Sequence, residues 1–263
     1  MPTTQFEKFI PTIRALTPDD LNGEASLFEK MRIAKTDKFE ICYAPFEHLN
    51  PEARLVIVGI TPGKTQMLNA LREARRQLNV GATPVQALIA AKRTGAFSGP
   101  MRPNLVSMLD RVGLSQKFGL NSANEFFGAA SNLLNSTSVL QNPVFLADGS
   151  NYNGTPNMSR TEALRDQMMS GFAKSASLLP NAYFLPLGPK VSEALMFLAS
   201  QGAIDGSRVL HGMPHPSPAS MERINYFLGK KPREHLSKKT NASNLDAARE
   251  RLMSQVGSIV TSC

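Results

Sequence analysis

Cysteine is nearly absent from this 263-residue chain, which has only Cys42 and Cys263. Two thiols cannot supply the four ligands of an iron–sulfur cluster, and their positions have no zinc-type spacing, so both are expected to be free and no metal or other cofactor is implied. Long hydrophobic runs are missing as well. Apolar residues make up 42% of the chain, yet no stretch approaches the roughly 20 consecutive apolar residues of a membrane span. The N-terminus lacks the basic-then-apolar layout of a signal peptide, so the expectation is a cytoplasmic protein without a membrane partner. Acid is scarce where base gathers. Between Lys64 and Arg102 stand Lys64, Arg72, Arg75, Arg76, Lys92, Arg93 and Arg102 against the single acid Glu73. A second basic cluster, Arg223, Lys230, Lys231, Arg233, Lys238 and Lys239, follows the motif HPSP, and the formal net charge is +8. Such clusters beside motif loops are what a polyanion-binding face requires, because neutralised phosphates release counterions.

Residues 54–66, RLVIVGITPGKTQ, have the outline of a nucleotide-binding loop: a strand, then Gly63-Lys64-Thr65. The spacing excludes it. The pattern G-x-x-x-x-G-K-[ST] needs glycine at 58, which is Val58; Gly59 stands too close, and Pro62 has no N–H for a phosphate nest.

The rhythm along the chain is strand, loop, helix. Four apolar runs, at residues 55–60, 132–140, 182–187 and 207–210, read as strands of a mainly parallel sheet covered by helices, an α/β fold. In such sheets ligands bind beyond the carboxyl ends of the strands. The helices punctuate themselves. Met67, Leu71, Ala74 and Leu78 make an apolar stripe with Arg72, Arg75 and Arg76 off it. A second helix runs over 104–112 to Gly113, and Ser159 to Glu162 reads as a capping box opening a helix lined by Leu164, Met168, Phe172 and Ala176, ended by Pro180. Another runs from Pro189 to Gly202. The twelve methionines read as core filling. Residues 1–50 suggest a helix and an added strand near 40–43, and 147–157 a polar loop. The expected organisation is one domain over 1–263, with an N-terminal extension (1–50), a basic helical insert (64–96) and a basic C-terminal segment (230–263), most simply a monomer.

Residues 211–223, HGMPHPSPASMER, end the last strand. His211 and His215 have the i, i+4 spacing of paired metal ligands on a helix, but Gly212, Pro214 and Pro216 forbid that helix. Ser217 as N-cap and Pro218 at the first helical position should start a helix whose free N–H groups can hold a phosphate. His215 is then an imidazole on a proline-stiffened loop.

Together GITPG and HPSPAS resemble the two signature motifs of the uracil-DNA glycosylase superfamily. Three intermediate segments match in order: Gly95 to Gly99 (GAFSG), the strand LLNSTSVL, and YFLPLGPKVSEAL. The similarity touches most of residues 54–229. It implies a three-layer α/β/α fold around a central, mainly parallel four-stranded sheet, DNA as partner, and hydrolysis of the N-glycosidic bond of a flipped pyrimidine to leave an abasic site. By the resemblance, His215 and Thr61 are the catalytic positions, and Phe97, Asn135, Gly59 and Ile60 hold the base. Gly63, Lys64, Ser217, Ala219, Ser220, Arg223, Lys230 and Lys231 hold the DNA backbone, and Ala219 or Met221 fills the vacated gap.

Thr61 departs from the Asp or Asn typical of the family, and a hydroxyl cannot act as general base at neutral pH; it can only orient a water or bind the ligand. The connection from Thr61 to Phe97 is also far longer than usual. Both features suggest a base other than plain uracil, such as a bulky modified cytosine of phage DNA, and a role in antiviral defence. Alternatives stay open. Phe97 could be core and Asn135 a strand amide satisfied by backbone. The protein could be a non-catalytic binder of flipped bases, a bifunctional enzyme with Lys64 as nucleophile, or, against the spacing, an NTPase.

Overall fold

A computed structural model describes residues 4–22 and 25–260. In chain order its elements are α1 (Gln5–Ala15), α2 (Ala25–Met31), β1 (Arg32–Lys35), β2 (Phe39–Cys42), β3 (Leu55–Gly59), α3 (Lys64–Asn79), α4 (Pro84–Gly95) and α5 (Met101–Arg111). There follow α6 (Leu114–Lys117), β4 (Leu134–Ser138), β5 (Val144–Leu146), α7 (Glu162–Gln167), α8 (Lys174–Ser177), β6 (Tyr183–Pro186), α9 (Pro189–Ser200), α10 (Met221–Phe227) and α11 (Ala242–Gly257). Backbone contacts divide the chain into two compact units, each assembled from separate stretches. The described residues within 1–49, 60–98 and 137–172 form the first; those within 50–59, 99–136 and 173–263 form the second.

The first unit carries an antiparallel sheet, β1-β2-β5, with Glu40 opposite Phe145 and Ile41 opposite Val144. The N-terminal stretch thus holds two helices and two strands, more than the single helix and strand expected. Its core is the stripe foreseen on α3: Met67, Leu71, Ala74 and Leu78 are buried with Phe6, Ile13, Leu27 and Met31. The i, i+4 spacing places these side chains on one face, and burying them drives the helix onto its neighbours. Thr83 caps α4 and Pro84 takes its first position, where a missing N–H costs nothing. Gly95 ends α4 where a Cβ would lie 2.9 Å from Ala70 Cβ and from the Phe46 ring. The basic back of α3 is partly spent at home, since Arg76 pairs with Glu73 and Arg72 donates to the Leu21 carbonyl.

The second unit contains the sheet ordered β4-β3-β6, in which β3 and β6 run parallel with Leu55 opposite Tyr183 and Val58 opposite Pro186. All of β3 is buried, as expected of a central strand covered on both faces. The expected fourth strand does not form. The Asp205 side chain accepts from the N–H and hydroxyl of Ser207 at 2.9 and 2.7 Å, winding Gly206–Arg208 into a 3₁₀ turn. Only Val209 reaches the sheet, as a single bridge to Phe184.

The helix expected after Ser159 is interrupted. The Ser159 hydroxyl donates to Asn157 instead of capping, Thr161 precedes α7, and Met168–Ala173 form a π-helical stretch before α8. Leu164, Met168, Phe172 and Ala176 are nevertheless all buried. Cys42 is a buried free thiol, which desolvation pushes up to about 12; Cys263 lies outside the described residues.

Candidate active site

The chain between Val209 and Ser217 has no regular structure and is held from several sides of the second unit. Leu210 N–H donates to the Phe184 carbonyl at 2.8 Å and His211 N–H to Gln255 Oε1 at 2.8 Å. His211 Nδ1 meets the Ser192 hydroxyl. Gly188 N–H donates to the Met213 carbonyl at 2.9 Å from a backbone with φ 92°, which favours glycine there. Gly212, φ 125°, lies so close to α11 that a Cβ would sit 2.2 Å from the Ala248 carbonyl oxygen. On α5, Asn104 Nδ2 donates to the Pro216 carbonyl at 3.0 Å and contacts Met221 Sδ at 3.4 Å. Proline supplies stiffness here, and these contacts supply position.

His215 stands on this braced loop. Ser217 N–H donates to its Nδ1 at 3.2 Å, so in the neutral ring Nδ1 is the acceptor and the proton sits on Nε2. Burial lowers the imidazole pKa from its ordinary value, since desolvation disfavours the cation. The result is a neutral imidazole with one N–H to offer.

Asn135 is buried at 4% exposure on β4. Its Oδ1 accepts from Asn50 N–H at 3.4 Å. Asn50 also donates through Nδ2 to the carbonyls of Asn132 and Leu134 at 2.7 and 3.0 Å, knitting the entry of β4. At least one end of the Asn135 amide therefore serves the fold, which is the backbone-satisfied alternative. Gly59 is buried at the end of β3.

The helix start after HPSP differs from the expectation. Pro218–Ser220 form a 3₁₀ turn, and α10 has seven residues. The Ser217 hydroxyl accepts from Ala219 N–H at 3.3 Å, and Ser220 N–H donates to the Ser217 carbonyl at 2.8 Å. Those N–H groups are consumed locally, and so short a helix aligns few peptide dipoles, so the open phosphate cradle is not formed. Arg223 and Lys230 are exposed, whereas Lys231 pairs with Glu222 at 2.8 Å.

In the first unit, the Thr61 hydroxyl donates to the Asn142 carbonyl at 3.0 Å and accepts from Val144 N–H at 3.1 Å. Its one proton is committed to the backbone leading into β5. A water could use only its remaining lone pair. The Ile60 carbonyl accepts from Leu140 N–H at 2.9 Å. Gly63 N–H donates to Gln66 Oε1 at 3.0 Å and Lys64 N–H to Asn151 Oδ1 at 2.9 Å, while Lys64 Nζ lies 5.2 Å from the Phe28 ring centroid. These donors cap α3 and are not turned to a phosphate. Phe97 is 6% exposed and has φ 49°, a left-handed backbone that a bulky residue rarely adopts.

Sequence reasoning assigned nothing to the region around residue 47, where the first unit holds a polar cluster. Tyr43 Oη donates to both carboxylate oxygens of Glu47 at 2.9 Å, and Lys92 Nζ donates to the His48 carbonyl. Burial pushes Lys92 down to about 7 and raises Glu47. The only trace in the sequence is polar residues interrupting the apolar stretch YAPFEHLN; nothing there points to residue 92. Among the described residues, no group of three or more His, Cys, Asp or Glu is placed to hold a metal ion, and no helix is long and apolar enough to cross a membrane.

Fold and loop define a mixed α/β protein with a desolvated, singly protonated imidazole beyond the last strand of a parallel sheet. The chain is 36% identical over 222 residues to YoxB of Bacillus subtilis (strain 168), an uncharacterized protein, across 83% of this chain and 84% of that one, and it belongs to the YoxB family. No protein-family model matches it, and no solved structure matches it.

Proposed function

We propose that this protein is a monofunctional DNA glycosylase of the uracil-DNA glycosylase type, with the α/β/α layering that implies. The observation that carries the reading is the His215 tautomer: Nδ1 occupied by Ser217 N–H, Nε2 protonated, and the cation disfavoured by burial. Breaking the C1′–N bond leaves the electron pair on the base and positive charge on the sugar. Water then adds at C1′ and releases a proton to solvent. As charge builds on a base carbonyl oxygen, a neutral N–H donor at fixed position stabilises it without reorganising. The base can be reached only after it leaves the stack, which agrees with a basic protein whose exposed Arg223 and Lys230 follow the histidine loop. Of the residues the motif order suggests for the base, Asn135 and Gly59 belong with His215 to the second unit, and in the first unit the strained backbone of Phe97 favours a functional ring. A modified pyrimidine is the preferred substrate in this reading, given the Thr61 substitution and the α3–α4 insert.

Oligonucleotides bearing uracil, hypoxanthine or modified cytosines, treated with protein and then alkali, test this. The wild type is expected to cut at one of them, and His215→Ala to be slower by about 10² to 10³, the usual loss for one preorganised donor. No cleavage of any oligonucleotide, or equal cleavage by His215→Ala, would refute it. A second reading, a non-catalytic binder of flipped bases, is favoured by the Thr61 hydroxyl being engaged with Asn142 and Val144. Tight binding of a modified oligonucleotide without abasic-site formation would select it.

A further inference from the structure

The basic stretch after α10 is organised by one acid. Glu222 Oε1 accepts from Lys231 Nζ at 2.8 Å and Ser237 N–H at 3.1 Å, while Oε2 accepts from the Ser237 and Thr240 hydroxyls at 2.6 and 2.5 Å. The segment is pinned elsewhere too. Gly229, φ 75°, turns the chain, the N–H groups of Lys230 and Lys231 return to the Asn225 carbonyl at 2.8 and 3.2 Å, and Arg233 reaches Ser243 Oγ at 2.7 Å. Residues 230–240 contain only the 3₁₀ turn Arg233–His235, so these tethers take the place of regular structure.

The outcome is a shaped cationic loop. Lys230, Arg233, Lys238 and Lys239 are exposed, with Glu234 the one exposed acid among them, and Lys231 alone is neutralised. A run of like charges repels itself and would otherwise spread as a solvated tail. Here a carboxylate at the start of α10, within a few residues of the histidine loop, folds it back.

We propose that Glu222 is a positioning residue for DNA: it latches residues 230–240 into a rigid loop whose lysines track the phosphates of the strand beside the flipped nucleotide. The choice of DNA rests on the glycosylase reading; the latch itself rests on the hydrogen bonds. Charge counting and the latch make opposite predictions. Glu222→Ala removes a negative charge and so raises the net charge, which by electrostatics alone tightens binding to a polyanion. If the latch matters, binding weakens despite the lost negative charge.

The experiment is fluorescence anisotropy of a labelled DNA oligonucleotide across a salt series, with thermal melts as controls. For Glu222→Ala we expect affinity to fall roughly tenfold and the slope of log K against log salt to shrink by about 2, as if two phosphate contacts were lost. Ser237→Ala combined with Thr240→Ala removes tethers without changing charge and is expected to weaken binding in the same sense; it decides the matter if Glu222→Ala does not fold. Unchanged or tighter binding by the folded variants overturns the proposal. Excision by a wild type whose binding is indifferent to the latch would sink this inference alone, and binding that depends on the latch without excision would sink only the glycosylase assignment. A wild type that does not bind DNA refutes both.

Discussion

Lys92 shows how a single residue writes itself into solution behaviour. At 7% exposure its ammonium has little water, and it donates to the His48 carbonyl. Its pKa is pulled from 10.5 to about 7 in the folded protein, chiefly by desolvation, with Glu47 opposing. The unfolded chain therefore binds more protons than the native one over that interval, so unfolding free energy should rise with pH between about 7 and 10. Urea titrations at several pH values should show this rise for the wild type and a flatter profile for Lys92→Met. None of it was legible beforehand, because a lysine on an amphipathic helix reads as solvated until its neighbours are known. Thr61 teaches the same lesson at the candidate site. The sequence flagged its position correctly as a strand exit, but its hydrogen-bond partners lie 81 and 83 residues away. His215 was more accessible to reading, since prolines and glycines announce a stiff loop locally. Its tautomer was not, because that depends on where the Ser217 N–H points.

At the scale of elements, periodic helices were read well and strands less so. The α3 stripe was visible because its spacing is set within the helix, and α9 because Pro189 and Gly202 bracket it. The fourth strand failed because Asp205, a turn former, outcompeted a short apolar run that had little to gain from pairing. Close approaches between elements were also invisible. Gly212 permits α11 to pack where a Cβ would meet the Ala248 carbonyl at 2.2 Å, and its φ of 125° is itself hostile to other residues. Gly212→Ala is expected to cost about 3 kcal/mol or more, from strain and overpacking together. Gly95→Ala, whose nearest opposing atoms are side chains at 2.9 Å and whose backbone is helical, should cost about 1 to 3 kcal/mol. Chemical denaturation of the two variants checks the ranking.

For the whole molecule, the interleaving of the two units matters most. The sheet β1-β2-β5 takes β5 from residues 144–146, and β3 pairs with β6 at residues 183–186. Hence a fragment of residues 1–98 lacks β5, and one of residues 99–263 lacks β3. Each is expected to be insoluble or unstructured by circular dichroism, whereas co-expression of both fragments should recover some folded material. A soluble, cooperatively melting 1–98 fragment would contradict the division. Nothing in the order of residues announces this arrangement, since short apolar segments do not name their partners.

That interleaving also bears on how the protein is made. A ribosome delivers the chain from one end, and β3 emerges before β4 and long before β6, so the edge of residues 55–59 that pairs with β6 must wait until residues 183–186 are made. Neither unit can close early. Nascent chains of this protein should therefore lean on chaperones until β6 has been made.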